Sequence, residues 1–240
     1  MQSRHLSMNS KMQSNQQTLF AHILNCKQKY EDFDVFLFDT RSFEPYGTQL
    51  YQMLSTDELK KADSLPDGKP KMLYIARRSL IRCVLSGYLD IEPSDIQIQR
   101  DSLGKPYIQE NKVYFNLSHS KNMVGIVVSK KASVGIDVQV MKAKCNMELL
   151  QNGVFSAEEQ AAFQKACRKG EGRNLFFDIW ARKEAFTKCL GTGFTIQVQN
   201  VSVNQDSIIY HGKEYKLASG LVTEDCVCAV AFEQIIRKEI

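Results

Sequence analysis

Trp180-Ala181-Arg182-Lys183-Glu184-Ala185-Phe186-Thr187-Lys188 reads as a stretch of helix, with Trp180, Glu184 and Lys188 spaced by four on one face. Its first six residues align with Ile75-Ala76-Arg77-Arg78-Ser79-Leu80 at an offset of 105. The same signals surround both helices. Asp34-Val35-Phe36-Leu37-Phe38-Asp39 is a strand pattern, followed by Ser55 and Glu58 in the S-x-x-E form of a capping box. Val134 to Val140 is a second strand pattern, followed by Ser156 and Glu159 in the same box, 101 residues after Ser55. Strands are expected after each long helix: Ile96 to Gln99 and Tyr114 to Val128 in the first half, Val201 to Val203 and Ile208 to Phe232 in the second. Any two α+β units share caps and periodicity, so coincidence is one explanation. Duplication is the other, and it predicts an α+β fold of two similar subdomains about a pseudo-twofold, with a ligand cleft between them. The expected divisions are residues 1–33 as an N-terminal tail with a short helix, 34–130 as the first subdomain and 131–240 as the second.

The 240 residues are 43% hydrophobic and 24% charged, enough for one large domain or two small ones. A net charge of +4 favours an anionic ligand or partner, and the chain has no basic run with interleaved aromatics that would point to nucleic acid. Seven cysteines, with no C-x-x-C, argue against a disulfide framework and against zinc, and for a reducing cytoplasm. Cys226 and Cys228 fit packing better than a ligand pair. Residues 1–17 are polar and rich in Ser, Asn and Gln, without the apolar segment of an export signal. Leu19, Phe20, Ile23 and Leu24 have helical spacing, which suits a short docked helix or a partly ordered lead-in. No apolar stretch approaches the roughly 18 residues of a membrane span, so no membrane partner is expected.

Asp137 is an acid inside an otherwise apolar strand (Val134, Ile136, Val138, Val140), where burial is costly without a cation or hydrogen-bond donors. Glu184 and Lys188 alone would read as a solvated surface pair, and Trp180 as core. Taken with Asp137, Glu184 offers a second carboxylate on a neighbouring rigid element. Magnesium suits two carboxylates that leave the rest of its shell to water and substrate phosphate. Ser118-His119 closes the strand Phe115-Asn116-Leu117-Ser118-His119-Ser120. It is a poor hydrolase fragment, since neighbours on a strand point apart and no G-x-S-x-G is present, but both residues can donate to a phosphate. Lys105, in the turn Leu103-Gly104-Lys105-Pro106, and Lys61, Arg77 and Arg78 add cations. The absence of a P-loop and of G-x-G-x-x-G leaves an ordinary nucleotide triphosphate or dinucleotide site unsupported.

In order, Gly104-Lys105-Pro106, Phe115-Asn116-Leu117-Ser118-His119-Ser120, Gly135-Ile136-Asp137-Val138 and Trp180-x-x-Lys183-Glu184-Ala185-x-x-Lys188 closely resemble the Sfp-type 4'-phosphopantetheinyl transferases. The resemblance runs from about Asp34 to Phe232. It implies the two-subdomain fold and transfer of 4'-phosphopantetheine from coenzyme A to a serine of an apo acyl or peptidyl carrier protein, releasing adenosine 3',5'-bisphosphate. It implies a magnesium ion on Asp137 and Glu184, with Glu184, Lys188 and His119 as catalytic residues. The implied coenzyme A contacts are Lys61, Arg78, Ser79, Lys105, Ser118, His119 and Lys188. Many relatives carry Glu two residues after the strand Asp; Gln139 stands there in this chain, a weaker candidate third ligand. The resemblance further implies a monomer meeting an acidic carrier. A magnesium-dependent phosphohydrolase acting on a nucleotide diphosphate, and an inactive coenzyme A or carrier-binding protein, are the competing readings.

Overall fold

Both capping boxes form. Ser55 opens helix α3 (Thr56–Asp63) and Ser156 opens α6 (Ala157–Cys167), each with the N3 glutamate accepting from the serine's own N–H. The computed structural model describes residues 18–109, 113–142, 145–193 and 196–235. It divides into two compact units: the described residues up to Lys29 with Phe36–Gln97, and Tyr30–Val35 with the residues from Ile98 onward. The expected loose tail over residues 1–17 lies outside the described residues.

In the first unit, residues 18–25 form a short helix, α1. Leu19 and Ile23 are fully buried, so this lead-in is docked. Strands β1 (Lys27–Lys29) and β2 (Asp34–Asp39) follow, then α2 (Gly47–Gln52), α3 and α4 (Lys69–Leu89). The alternation of β2 buries Phe36 and Phe38 on one face. Phe38 meets Phe43 edge-on and Phe36 meets Tyr88 the same way. Helix α4 stops at Asp90, which takes the left-handed conformation at φ 56°. Glu58, at the first turn of α3, sits buried between Arg78 and Arg82 of α4. Arg82 also donates to the carbonyls of Pro93 (2.7 Å) and Ile96 (2.9 Å), tying down the segment that leaves α4.

The second unit begins with a hairpin, β3 (Ile98–Arg100) and β4 (Pro106–Ile108), then a longer one, β5 (Tyr114–Ser120) and β6 (Met123–Ser129). Strand β7 (Val134–Val140) leads to α5 (Met147–Val154), α6 and α7 (Gly172–Leu190), and the chain ends in β8 (Ser207–Tyr210), β9 (Lys213–Thr223) and β10 (Cys226–Gln234). These last strands join β7 in an antiparallel sheet ordered β7-β10-β9-β8. Helix α7 packs on that sheet through a core including Phe176, Phe177, Ala185, Phe186, Val227, Ala229 and Ala231. Burying each of the large aromatics contributes about 1.5–3 kcal/mol.

The ion pair of the first unit has a counterpart here. Glu159 and Lys183 are both fully buried, 2.7 Å apart. Lys183 also donates to the Val198 and Val201 carbonyls (2.9 and 2.6 Å), and Glu159 accepts from the Val203 N–H (2.7 Å). At the offsets of the sequence repeat, Glu58 corresponds to Glu159 and Arg78 to Lys183. Each unit thus holds the N3 carboxylate of a capping box against a cation of its long helix.

Two expectations shift. Val201 to Val203 is not a strand: Lys183 takes the Val201 carbonyl, Arg182 takes that of Val203 (2.8 Å), and Glu159 takes the Val203 N–H, so side chains occupy the groups a ladder would need. The compact units also divide near residue 97 rather than at 130. Side chains of β5 bond to β7, and this draws the β5–β6 hairpin into the second unit. Among the described residues, no helix is long and apolar enough to cross a membrane.

Candidate functional site

Asn116, Ser118 and Ser120 lie on one face of β5 by the strand's period of two, and all three reach β7. The Asn116 Oδ1 accepts from the Ile136 N–H (3.2 Å), Ser118 Oγ donates to Asp137 Oδ1 (2.8 Å), and Ser120 Oγ accepts from the Val140 N–H (3.0 Å). Asp137 thereby sits buried on a central position of β7, its backbone registered against Ala229. Facing it from α7, Lys188 donates to the same Asp137 oxygen (2.6 Å) and to Ser118 Oγ (3.1 Å). Glu184, one turn earlier, brings its carboxylate to 4.0 Å from the Lys188 ammonium. Burial pushes the Glu184 carboxyl above its ordinary range; Lys188 opposes that and Asp137 adds to it.

Gly135 makes this approach possible. A Cβ built there would lie 2.1 Å from the Ala185 carbonyl oxygen and 2.3 Å from the Cys189 nitrogen, both backbone atoms of α7. Only glycine lets helix and strand come so close. Sequence reading quotes Gly135 without giving it a role, although a glycine in a strand interior is a recognisable signal. It also misses Asn116 and Ser120, whose signal is the alternation of polar residues along β5.

The donor set fits a hard divalent cation. One ammonium lies between two carboxylates, which leaves negative charge to offset, and the second oxygen of Asp137, Oδ2, is buried without a hydrogen-bond partner. Among the described residues no group of three or more His, Cys, Asp or Glu could hold a metal, so the site rests on these two acids. Gln139, on the same face of β7 as Asp137, donates its amide to the Val140 carbonyl (2.9 Å).

Other expected residues stand elsewhere. His119 alternates to the opposite face of β5 from Ser118 and is exposed. Lys105 does not extend into solvent as a turn lysine commonly does; its Nζ is partly buried, bonding Ser133 Oγ (2.9 Å) and the Cys189 carbonyl (2.7 Å). Lys61, Arg78 and Ser79 belong to the other unit. Lys61 is exposed on α3, and Arg78 pairs with Glu58. Ser79 is a correction: it is fully buried and its hydroxyl donates to the Leu50 carbonyl, because its position on α4 faces the core. Cys226 and Cys228 are buried in β10, as packing residues would be, with burial pushing their thiols up to about 11 and about 12.

A family model described as "4'-phosphopantetheinyl transferase superfamily" matches residues 133–231, which contain Asp137, Glu184 and Lys188. A second, described as "4'-phosphopantetheinyl transferase, N-terminal", matches residues 47–131. The chain is 27% identical over 186 residues to the 4'-phosphopantetheinyl transferase HetI of a Nostoc species, covering 74% of this chain and 78% of that protein. It is 32% identical over 130 residues to AcpT of Escherichia coli, 54% of this chain and 63% of AcpT. It is 30% identical over 125 residues to Sfp of Bacillus subtilis, 52% of this chain and 54% of Sfp. The matches to AcpT and Sfp thus span less than two thirds of those relatives.

Proposed function

The chain belongs to the 4'-phosphopantetheinyl transferase superfamily, and from that premise we propose that it transfers 4'-phosphopantetheine from coenzyme A to a serine of an apo carrier protein, with magnesium on Asp137 and Glu184. The observation that carries this reading is the buried Asp137 carboxylate, with one oxygen shared by Ser118 and Lys188 and the other unpartnered, beside Glu184. In the reaction, the carrier serine Oγ bonds to the phosphorus that bears pantetheine. The bond from that phosphorus to the bridging oxygen breaks, and its electron pair leaves with adenosine 3',5'-bisphosphate.

Magnesium bound by the two carboxylates would supply Lewis-acid stabilisation of the diphosphate charge. Lys188 adds a positive charge beside the developing negative charge, while its bond to Ser118 and Asp137 holds it in place before the substrate arrives. Glu184 or a water held beside it accepts the serine proton. His119, exposed at the end of β5, is a further donor to phosphate. Holding two substrates in one orientation contributes several kcal/mol more, on the order of 7–11 at most. The net charge of +4 favours an acidic carrier surface by steering.

The test is the mass of an apo acyl carrier protein after incubation with the chain, coenzyme A and magnesium. One added phosphopantetheine group is expected, with none for Asp137→Ala or Glu184→Ala. An unmodified carrier across a panel of fatty-acid, polyketide and peptidyl carriers would overturn the reading. Nucleotide release in the absence of any carrier would redirect it to a phosphohydrolase.

A further inference from the structure

Sequence reading groups Lys105 with the ligand cations, but the structure gives its ammonium protein partners at the far end of α7. The turn that presents it is closed by its own residues: Asp101 Oδ1 accepts from the N–H groups of Leu103 and Lys105 (both 2.9 Å), and the Asp101 N–H donates to the Lys105 carbonyl (3.0 Å). From there the Lys105 side chain crosses to the C-terminus of α7, where Nζ donates to the Cys189 carbonyl (2.7 Å) and to Ser133 Oγ (2.9 Å). Ser133 Oγ donates in turn to the same Cys189 carbonyl (2.6 Å), and the Cys189 thiol donates back to the Ser133 carbonyl (3.2 Å). Gly191, in the left-handed conformation at φ 76°, closes the helix with its α-carbon against the Lys105 stem; a Cβ there would lie 3.0 Å from Lys105 Cδ.

We infer that Lys105 is a positioning residue, which fixes the last turn of α7 against the start of β7 and so sets where Lys188 meets Asp137. A cation at a helix C-terminus satisfies carbonyls that have no intrahelical donor and complements the negative end of the dipole. Here it does so one residue after Lys188, which bonds Asp137, and two residues before Gly135, where the backbone of α7 lies against β7. Burial lowers the ammonium's pKa, with nearby acids including Asp101 and Glu233 opposing, as expected of a lysine held inside rather than offered to solvent.

This inference rests on the proposed transferase activity, and its test separates the two. A lysine that contacted the 3'-phosphate of coenzyme A would act mainly on KM, and its loss would go unnoticed with 3'-dephospho-coenzyme A as donor. A positioning lysine acts on kcat with either donor. For Lys105→Met, the expected result is a fall in kcat of about tenfold to a hundredfold with both donors, the scale on which small displacements of reacting groups act, with KM for coenzyme A within about twofold of wild type. Ser133→Ala touches the same node without removing a charge; it should lower kcat in the same direction and guards against the lysine variant failing to fold. A rise in KM with kcat unchanged, a defect that disappears with the dephosphorylated donor, or wild-type kinetics in Ser133→Ala would each overturn the positioning role. If the wild-type chain modifies no carrier, it is the transferase reading that fails.

Discussion

Gly135→Ala is a one-carbon change, and the structure puts its consequence at the chemistry. The added methyl would stand 2.1 Å from the Ala185 carbonyl oxygen, 2.3 Å from the Cys189 nitrogen and 2.9 Å from the Cys189 α-carbon. All three are backbone atoms of α7, so no rotamer change relieves the contact. Separations under 3.0 Å are essentially never seen for a real Cβ, so helix and strand must part by roughly 1 Å, and overpacking of this kind costs about 1–3 kcal/mol. The same displacement would stretch the 2.6 Å contact between Lys188 and Asp137 to about 3.6 Å, outside hydrogen-bonding range. Misplacement by about 1 Å can cost a hundredfold in rate. The expected outcome is therefore a folded protein, with a thermal midpoint lowered by several degrees, whose transfer rate falls about a hundredfold while a control on α5, Gly153→Ala, whose Cβ meets nothing within 4 Å, retains activity. The assay is carrier modification followed by mass, alongside thermal unfolding of the same samples. If Gly135→Ala keeps both its midpoint and its rate, then the close approach of α7 to β7 does not set the site, and the geometric argument for Lys188 and Glu184 collapses with it.

Lys183→Met should destabilise the chain by about 3–5 kcal/mol in urea titrations, because it leaves Glu159 charged and buried without its partner; adding Glu159→Gln should recover part of the loss, and a cost under about 1 kcal/mol would contradict the ion pair. Burial pushes the Glu58 carboxyl up, but the Arg82 hydrogen bond, the charges of Arg78 and Arg82 and the Ser55 N–H outweigh it, so its folded pKa lies below the ordinary 4.5. Its contribution is thus present above 4.5 and is lost as pH falls through the lower folded value, so stability measured across that window should decline less steeply in Glu58→Gln. Because burial raises Glu184 instead, protons should compete with a cation at pH values above 4.5: Mn2+ binding followed by electron paramagnetic resonance should weaken as pH falls, with a shallower slope in Glu184→Gln and no binding in Asp137→Ala.

The parts of the site that were legible in the sequence are those where local pattern and chemistry coincide. Asp137 stood out as an acid among valines and isoleucine, Glu184 and Lys188 as a one-turn pair, and Ser118 as a polar strand residue; these four come together. Lys105 and Ser79 were legible as residue types but not in direction, since a sequence shows that a lysine occupies a turn and not which carbonyl its ammonium meets 84 residues away. The Glu159–Lys183 pair was hidden for the same reason. Glu159 reads in the sequence as a capping-box residue and Lys183 as a member of the helix motif, and only the packing of α6 against α7 makes both fully buried and brings them together. The strand expected at Val201 to Val203 failed because side chains took the backbone groups that β-propensity assumes will face another strand.

The two long helices differ at the position that carries the acid. Both units keep the capping-box glutamate against a cation of the long helix, Glu58 with Arg78 and Glu159 with Lys183. That pair is architectural: it sets the long helix against the helix before it, whatever the next residue does. In the first unit the next residue is Ser79, turned inward to the Leu50 carbonyl; in the second it is Glu184, only partly buried near Asp137. The position of Lys188 is held by Cys83 in the first unit, a buried thiol that burial pushes up to about 12 and that offers no charge. A carboxylate placed at Ser79 would therefore meet the core and the Leu50 carbonyl, with the buried Arg82 of the same helix already paired with Glu58. Ser79→Glu should unfold or strongly destabilise the chain, where Glu184→Ser should leave a stable protein without transfer activity. Equal stability of the two variants in urea would show that the scaffold does not distinguish the halves, and the asymmetry of function would then need a cause outside the long helices.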